Sequence, residues 1–362
     1  MKHVIFLSAA LPENLGDFVL KNELCNELSK LASVYALVDG SADGGCKLKG
    51  AVVLDKPEFV RKFLLCVLNP TIRVFIYLAP GGGGIRNTPS LASFRALRSL
   101  LPNAIFWCLR IKVVKLGVSS EESGPVKFSL YNWLLSSFRS FTGYRDTGSL
   151  TEGRNSGERH IALFPDLSFL LGSRCETSSE PNTVKRKFVC SFRECHFTLG
   201  FDRDYDSNIV GLLRGLVEAF ERDEVVFCSQ TRRDDVYVQK LGAECGDCSV
   251  ERFFSYDIDS FLQFYSGFSY VVSNRLHVLL IAAFAGCVPI AIVSKEENRK
   301  IVSLFSDNDL EDLCIDVHSP DVLGEVKSIV NRGDTKYVRE RIKDIANRNA
   351  DEIVAILRKI HS

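Results

Sequence analysis

Short apolar stretches alternate with amphipathic stretches along most of this chain, and this alternation restricts the possible folds more than any other feature. Val4–Ala10 and Ile72–Leu78 are typical of strands. Asp17–Leu31 and Lys56–Leu68 are typical of helices, because their apolar residues recur every three to four positions. A strand that is apolar at almost every position is buried on both faces, as in a parallel sheet covered by helices. The sequence therefore predicts an α/β fold.

The alternation occurs in two blocks, separated by the polar residues 173–183, which are rich in Ser, Glu, Pro and Asn and are typical of a linker. A chain of 362 residues also exceeds what one small core usually holds. We therefore expect two doubly wound domains, residues 1–172 and 184–333, that face each other with the active site in the cleft between them. Residues 334–362 are predicted to form a helix that packs back towards the first domain.

The first block contains one region where a helix and a strand are predicted in close succession. Ser90–Leu101 is predicted to be a helix, and the apolar run Ala104–Leu109 is predicted to be a strand.

Composition excludes several classes of protein. The 45 Lys and Arg residues balance the 45 Asp and Glu residues, so the basic face of a nucleic-acid-binding protein is not indicated. The sequence has no apolar run of transmembrane length. Its first apolar stretch is followed directly by Glu13 and Asp17, without a clear cleavage site, and so reads as a strand rather than a signal peptide. We therefore expect a cytoplasmic protein.

Most of the twelve cysteines lie in apolar runs, which favours reduced, buried thiols over disulfide bonds. Cys245 and Cys248 form one CxxC pair, and Cys190 and Cys195 form a looser pair. A lone CxxC is a weak indication of a zinc site, so no metal is expected, although binding of a metal by Cys245 and Cys248 stays open.

Two loops with little apolar character follow predicted strands, where parallel sheets bind their ligands. Asn14-Leu15-Gly16-Asp17 follows the first strand. Its Gly16 permits a tight turn with positive φ, and its Asp17 is either a helix N-cap or a carboxylate that binds hydroxyls or acts as a base. Gly81–Gly84 follow Ile72–Leu78 and let a ligand approach the main chain. They lack the spacing of a P-loop or a dinucleotide fingerprint, so we expect an anion or a sugar there.

Cationic side chains follow three further strands. Arg275 and His277 lie in Ser273-Asn274-Arg275-Leu276-His277, where a predicted strand passes into a helix whose start attracts anions. Arginine binds carboxylate or phosphate through two hydrogen bonds, and histidine transfers protons at neutral pH. Taken singly, Arg275 and Arg145 are more often surface residues and His277 a core histidine. Arg145 ends the predicted strand Phe141–Arg145, and Lys295 follows the predicted strand Val288–Val293. Cationic groups at the ends of three strands indicate a small anion with several charges.

These segments, in this order, resemble the polysaccharide pyruvyl transferase family. Each match is weak alone, but the ordered set is fairly specific and extends from residue 14 to residue 295. The residue before Lys295 is often aromatic in the family, whereas this chain has Ser294. The matching segments are Asn14–Asp17 (NLGD), Pro80–Gly84 (PGGGG), Tyr144–Ser149 (YRD with Ser149), Phe164–Leu171 (FPDLSFLL), Ser273–Val278 (SNRLHV) and Lys295 after AGCVPIAIVS.

The resemblance implies a GT-B-like arrangement of two facing Rossmann-like domains. It implies transfer of pyruvate from phosphoenolpyruvate onto two hydroxyls of a sugar in a cell-surface polysaccharide or its precursor, which forms a cyclic ketal. Phosphoenolpyruvate is then the donor substrate, and no cofactor is implied. A lipid-linked oligosaccharide acceptor and peripheral association with the inner face of the membrane both stay open.

The resemblance also implies roles for individual residues. The Arg, His and Lys that matter in the family correspond to Arg145, His277 and Lys295. Arg275 lies in the same SNRLH motif as His277. Asp17 is the expected base. The residues expected to bind substrate are Asn14, Gly16, Gly81, Gly82, Gly83, Gly84, Ser273 and Asn274.

Two other functions use the same features. A nucleotide-sugar-dependent GT-B glycosyltransferase would bind a diphosphate through the glycine loop and Arg275, and a nucleotide requirement would favour it. A non-catalytic relative would bind glycans or anionic metabolites, and unchanged chemistry after mutation of His277 would favour that.

Overall fold

A computed structural model of the chain describes residues 2–9, 15–38, 48–78, 94–119, 127–175, 186–194, 203–220, 224–246, 248–254 and 257–362. Asn14 and Gly81–Gly84 lie outside the described residues, as does Cys195. The described residues form an α/β structure with two parallel sheets, so the predicted fold class is confirmed.

The strands and helices alternate along the described part of the chain. The strands are β1 (Lys2–Ala9), β2 (Ser33–Val38), β3 (Ala51–Leu54), β4 (Ile72–Leu78), β5 (Lys112–Val118), β6 (Phe141–Tyr144), β7 (Ile161–Leu163), β8 (Arg186–Ser191), β9 (Val225–Ser229), β10 (Val250–Arg252), β11 (Phe268–Ser273), β12 (Val288–Val293) and β13 (Cys314–Asp316). The helices are α1 (Leu15–Ser29), α2 (Lys56–Val67), α3 (Phe94–Cys108), α4 (Leu130–Ser137), α5 (Thr147–Asn155), α6 (Phe169–Arg174), α7 (Arg203–Ala219), α8 (Arg232–Glu244), α9 (Ile258–Ser266), α10 (Leu276–Phe284), α11 (Arg299–Asp307), α12 (Val322–Asn331) and α13 (Thr335–His361).

The chain divides into two compact units. The first unit contains β1, residues Asp17–Leu170 and residues Arg348–Ser362. Its described strands form one parallel sheet in the order β3-β2-β1-β4-β5-β6-β7. Because β1 continues to β2 on one side and β4 continues to β5 on the other, the strand order reverses between β1 and β4. Such a reversal is where open α/β sheets bind ligands, and these two strands precede the NLGD and PGGGG segments.

The second unit contains residues Leu171–Asn347, and Gly16 also belongs to it. Its described strands form a parallel sheet in the order β10-β9-β8-β11-β12-β13. The strand order reverses between β8 and β11, and the SNRLH motif follows β11 directly. Every residue of β9 and β12 is buried, as expected for parallel strands that are covered on both faces.

Alternate residues of the first sheet point to opposite faces. On one face, the ring of Phe6 packs against Phe59 and Phe63 of α2, with ring centroids 5.2 Å apart in both pairs. The ring of Phe63 in turn contacts Phe106 of α3 at 6.2 Å. The helices α2 and α3 are therefore neighbours on this face of the sheet.

On the opposite face, the last turn of α13 packs against β4. The ring of His361 lies 4.2 Å from that of Phe75, and its Nε2 is 3.0 Å from the hydroxyl oxygen of Tyr77. Residues 335–361 form one continuous helix, whose first part belongs to the second unit and whose last part belongs to the first.

The strand predicted at Ala104–Leu109 is wrong, because these residues continue the helix α3. Pro102 lies inside this helix, although proline usually ends one by removing a backbone donor. A short apolar run is compatible with either structure, and periodicity alone does not distinguish them.

Candidate active site

The SNRLH motif lies at the junction of a strand and a helix, as predicted from the sequence. The strand β11 ends at Ser273, Arg275 occupies the N-cap position of α10, and Leu276 is the first helical residue. The motif therefore stands at the carboxyl end of a strand, beside the reversal of strand order in the second sheet.

Ser273 and Asn274 connect this junction to the segment that follows β8. The hydroxyl of Ser273 donates to the carbonyl of Ser191 and accepts the N–H of Arg275 at 3.0 Å. The Asn274 amide donates to the carbonyl of Arg193 at 2.8 Å and to the Tyr205 hydroxyl at 2.9 Å, and it accepts the N–H of Arg193 at 2.9 Å. Both side chains are buried, so they fix the backbone of Ser191 and Arg193 at the end of β8.

Arg275 forms an ion pair with Asp234 of α8. The hydroxyl of Thr231, the N-cap of α8, donates to the Asp234 carboxylate at 2.7 Å and accepts its N–H at 3.2 Å. The Arg275 side chain is 18% exposed, which contradicts its interpretation as a plain surface residue. Sequence reasoning missed Asp234, although Thr231 with an acid three residues later has the spacing of a capping box.

His277 lies in the first turn of α10, half-buried, against the backbone of Gly16. A Cβ atom on Gly16 would stand 2.5 Å from both Cβ and Nδ1 of His277. Gly16 lies inside α1, without the positive φ that the sequence analysis gave as its reason, so that explanation is wrong. Gly16 is needed because the His277 ring comes so close.

Arg145 forms a buried ion pair with Asp166 of the FPDLSFLL segment. Its Nη1 is 3.3 Å from the Asp166 carboxylate, and its Nε donates to the Ser119 hydroxyl. The side chains of Arg145 and Asp166 are 9% and 1% exposed, so the surface-ion-pair interpretation is wrong. Asp146, the next residue, caps α5 by accepting the N–H of Ser149 at 2.7 Å and its hydroxyl at 2.8 Å.

Lys295 is exposed in the turn that follows β12, the strand paired with β11. The turn is closed by Asn298, whose side chain accepts the N–H of Ser294 at 3.1 Å and whose N–H donates to the Ser294 carbonyl at 2.8 Å. Cys314 lies near Lys295. Burial raises the pKa of its thiol to about 11, and the positive charge of Lys295 opposes that shift.

Asp17 lies in the first turn of α1, two residues after the helix begins at Leu15, so the N-cap interpretation is wrong. Asp17 and Arg145 belong to the first unit, whereas Gly16, Arg275, His277 and Lys295 belong to the second. Within the second unit, the structure therefore brings Gly16 into contact with the SNRLH motif and places Lys295 after the neighbouring strand.

Three of the cysteines singled out from the sequence are buried near one another. Burial raises the pKa of Cys190, with a further contribution from Cys245 and Cys248, and burial also raises the pKa of Cys245 to about 11. Zinc binds thiolates, and a raised pKa disfavours the thiolate. Within the described residues, no group of three or more His, Cys, Asp or Glu side chains has an arrangement that could hold a metal ion.

Solved structures with a similar fold include GT-B glycosyltransferases and epimerases. UDP-GlcNAc 2-epimerase from Neisseria meningitidis, solved with UDP-GlcNAc, is 10% identical with a TM-score of 0.56, over 99% of this chain and 100% of that chain. HepE from Anabaena, solved with UDP and glucose, is 13% identical with a TM-score of 0.57, over 99% of each chain. A glycosyltransferase from Rickettsia africae ESF-5 is 11% identical with a TM-score of 0.57, over 99% of this chain and 98% of that chain. At these identities the similarity concerns the fold.

The model of the family described as polysaccharide pyruvyl transferase matches residues 16–296, so the chain belongs to that family. The family implies a transferase with a polysaccharide-type sugar acceptor. Comparison with the curated proteins gave no match. Over the residues that the structure describes, we find no helix with both the length and the apolar character needed to cross a membrane.

Proposed function

We propose that this protein transfers pyruvate from phosphoenolpyruvate onto two hydroxyls of a sugar in a polysaccharide or its precursor. The observation that carries the proposal is the fixed position of Arg275 and His277 at the strand-order reversal of the second sheet. Arg275 is held by Asp234, and the His277 ring lies against Gly16. Side chains that are held in place before substrate binds lose little entropy in the reaction.

The chemistry of the donor requires these residue types. Phosphoenolpyruvate carries a carboxylate and a phosphate, which Arg275, Lys295 and Arg145 would bind. In its charged form, His277 would donate a proton to the methylene carbon, and the two electrons of the C=C bond would form the new C–H bond. The resulting cation at the central carbon would accept the oxygen of one sugar hydroxyl, whose proton Asp17 would take.

The second half of the reaction closes the ketal. Phosphate leaves with the electron pair of its C–O bond, and a neighbouring cation such as Lys295 would stabilise its negative charge. The second sugar hydroxyl then attacks the same carbon, and the released phosphate takes up its proton. The products are a cyclic ketal, whose carboxylate is retained, and one phosphate.

The direct test is incubation of the protein with phosphoenolpyruvate and candidate glycans. We expect release of phosphate together with a gain of one pyruvyl mass on the glycan, in equal amounts. Phosphate release without a mass gain on the glycan would indicate hydrolysis of phosphoenolpyruvate. If no glycan tested gave either product, the result would count against phosphoenolpyruvate as the donor.

His277 is the residue whose substitution should separate catalysis from binding. We expect His277→Ala to lower turnover by about 10²–10⁴-fold while donor affinity is retained, because the residue supplies a proton rather than a clamp. His277→Gln should not restore turnover, since an amide donates a hydrogen bond but not a proton. Arg275→Ala should instead weaken donor binding.

Phosphate release and donor affinity would be measured side by side, with His318→Ala, a substitution of an exposed histidine, as the control. Turnover of His277→Ala near the wild-type rate would show that the proton comes from another group.

A nucleotide-sugar glycosyltransferase is the second candidate, and the observation that favours it is the fold shared with proteins solved with UDP. The two candidates differ in what stabilises the protein and in metal dependence. For pyruvyl transfer, phosphoenolpyruvate should raise the melting temperature and activity should survive EDTA. Stabilisation by UDP, or activity that EDTA removes and magnesium or manganese restores, would favour the glycosyltransferase.

A further inference from the structure

The outer surface of α2 and α3 carries large apolar side chains that the described structure leaves exposed. On α2 and at its C-cap position these include Leu64, Leu65 and Leu68, the last with 78% of its surface exposed. On α3 they include Leu101, Ile105 and Trp107, the last 60% exposed. Leu64 and Leu68 at the first helix, and Leu101 and Ile105 on the second, are four residues apart, so each pair lies on one side of its helix. Trp107 follows Ile105 by two residues and therefore lies on another side of α3. We name Leu64, Leu65, Leu68, Leu101 and Ile105, together with Arg61 and Arg98, the α2–α3 face.

The two stripes belong to one continuous surface. The rings of Phe63 and Phe106 pack edge to face between α2 and α3, so the helices are adjacent and their outer sides lie next to each other. On the far side of α3, the Trp107 ring lies 6.2 Å from that of Phe138, which follows α4. Contiguous apolar surface of this kind usually marks a contact site.

Positive charge accompanies the apolar stripes. Arg61 is exposed three residues before Leu64, and Arg98 is exposed three residues before Leu101, so each lies on the same side of its helix as the leucine. Glu58 and Lys56 are exposed in the first turn of α2, and Lys62 lies over the ring of Tyr35.

The sequence around these helices is far more basic than the chain as a whole. Residues 55–110 contain eight Lys and Arg residues against two acids, Asp55 and Glu58, although the whole chain has zero net charge.

We propose that the α2–α3 face binds peripherally to a bilayer that contains anionic phospholipids. Apolar side chains beside arginines are the composition of surfaces that lie in the headgroup region, where the leucines reach the acyl chains and the cations meet lipid phosphates. A second copy of the chain fits less well, because a two-fold interface would bring this positive surface against itself.

The test uses vesicles of phosphatidylcholine with phosphatidylglycerol, with vesicles of phosphatidylcholine alone as the reference. Co-sedimentation with these vesicles measures the partition coefficient. Leu68→Gln combined with Leu101→Gln should lower it by about ten-fold or more, because two apolar side chains lose their burial. Arg61→Gln combined with Arg98→Gln should lower it by about five-fold per cation, with less effect in high salt. The matched control is Val236→Gln on α8, which replaces a side chain that is 77% exposed in the other unit and should change nothing.

Three outcomes would overturn the proposal. The first is absence of binding to vesicles with phosphatidylglycerol, or equal binding to phosphatidylcholine alone. The second is vesicle binding that Leu68→Gln combined with Leu101→Gln leaves unchanged. The third is a dimer, seen by light scattering, that Leu68→Gln dissociates, which would make a second copy the occupant of the face. The assay needs no substrate, so its outcome is independent of that of the phosphate-release test.

Discussion

At Gly16, the ring of His277 occupies the volume that any larger side chain would need. We expect Gly16→Ala to push the ring aside and lower turnover by about 10²-fold, since a misplacement of about 1 Å costs that much in catalysis. Circular dichroism should show an intact fold.

Gly211→Ala is the matched control for this substitution. Gly211 is exposed on α7, with no atom within 4 Å of an added Cβ, so the change should leave turnover unaltered and raise stability by about 0.5–1 kcal/mol. Full turnover in Gly16→Ala would mean that the position of the His277 ring does not matter for the reaction.

Asp234 supplies the counter-charge that positions Arg275. We expect Asp234→Asn to weaken donor binding and to lower the free energy of unfolding by about 2 kcal/mol, less than for a fully buried pair because both side chains are partly exposed. The adjacent acid, Asp235, offers a control. It pairs with the half-exposed Arg252, and exposed ion pairs contribute little to the free energy of unfolding. If Asp234→Asn and Asp235→Asn gave the same donor affinity, donor binding by Arg275 would not depend on its ion pair with Asp234.

The sequence indicated some of these residues and not others, for a physical reason. Arg275 and His277 stood out because a strand-to-helix junction is visible in the local pattern of apolar residues. Asp234 and Asp166 did not, because each lies far along the chain from its arginine, by 41 and 21 residues, and only the fold brings the charges together.

At the scale of the elements, the last turn of α13 carries a buried histidine. Burial lowers the pKa of His361 from its ordinary 6.5 to about 4, with a smaller contribution from the positive charge of His3. Between these two values the unfolded chain binds a proton that the folded chain does not. Stability is therefore complete above pH 6.5, falls as the pH drops towards 4, and levels off below that.

The pKa shift corresponds to at most about 3 kcal/mol, and solvent near the helix end reduces the expected loss to about 1–2 kcal/mol. Chemical denaturation at a series of pH values would measure it. His361→Gln, which keeps a polar contact with Tyr77 but does not titrate, should flatten this part of the curve. His318→Gln, at an exposed site, should leave the curve as in the wild type, and an unchanged slope in His361→Gln would assign the effect to other groups.

Long strands and helices with clear periodicity were predicted well, whereas short or polar elements were missed. The strand β12 was predicted with its observed bounds, because its six apolar residues end at a polar loop. The helix α8 was missed because few of its side chains face the core, among them Tyr237, Val238 and Leu241. Its other residues are mostly charged, and they hide the helical spacing of the apolar ones. The edge strands β3, β10 and β13 have only three or four residues, too few for a pattern.

For the molecule as a whole, α13 is a long helix that contributes residues to both units. Asn347 is the last residue assigned to the second unit, and the helix continues through Arg348 into the first. We expect Asn347→Pro, which costs about 3 kcal/mol in a helix interior, to interrupt this continuity and to separate the unfolding of the two units. Asn347→Ala, which favours the helix, should keep them coupled.

The two tryptophans make this measurable, because both lie in the first unit. Fluorescence therefore follows that unit, while far-ultraviolet circular dichroism follows both. The two denaturation curves should coincide in the wild type and in Asn347→Ala and should diverge in Asn347→Pro. Coincident curves in Asn347→Pro would show that the units are coupled by something other than the helix.

The order of synthesis gives the shared helix a further consequence. A ribosome makes the strands of the first unit, then all of residues 171–347, and only afterwards the turn that contains His361. At typical rates of translation the delay is roughly 10–40 s. During that interval Phe75 and Tyr77 lack the partner that later covers them, so this part of β4 is accessible to chaperones on the nascent chain.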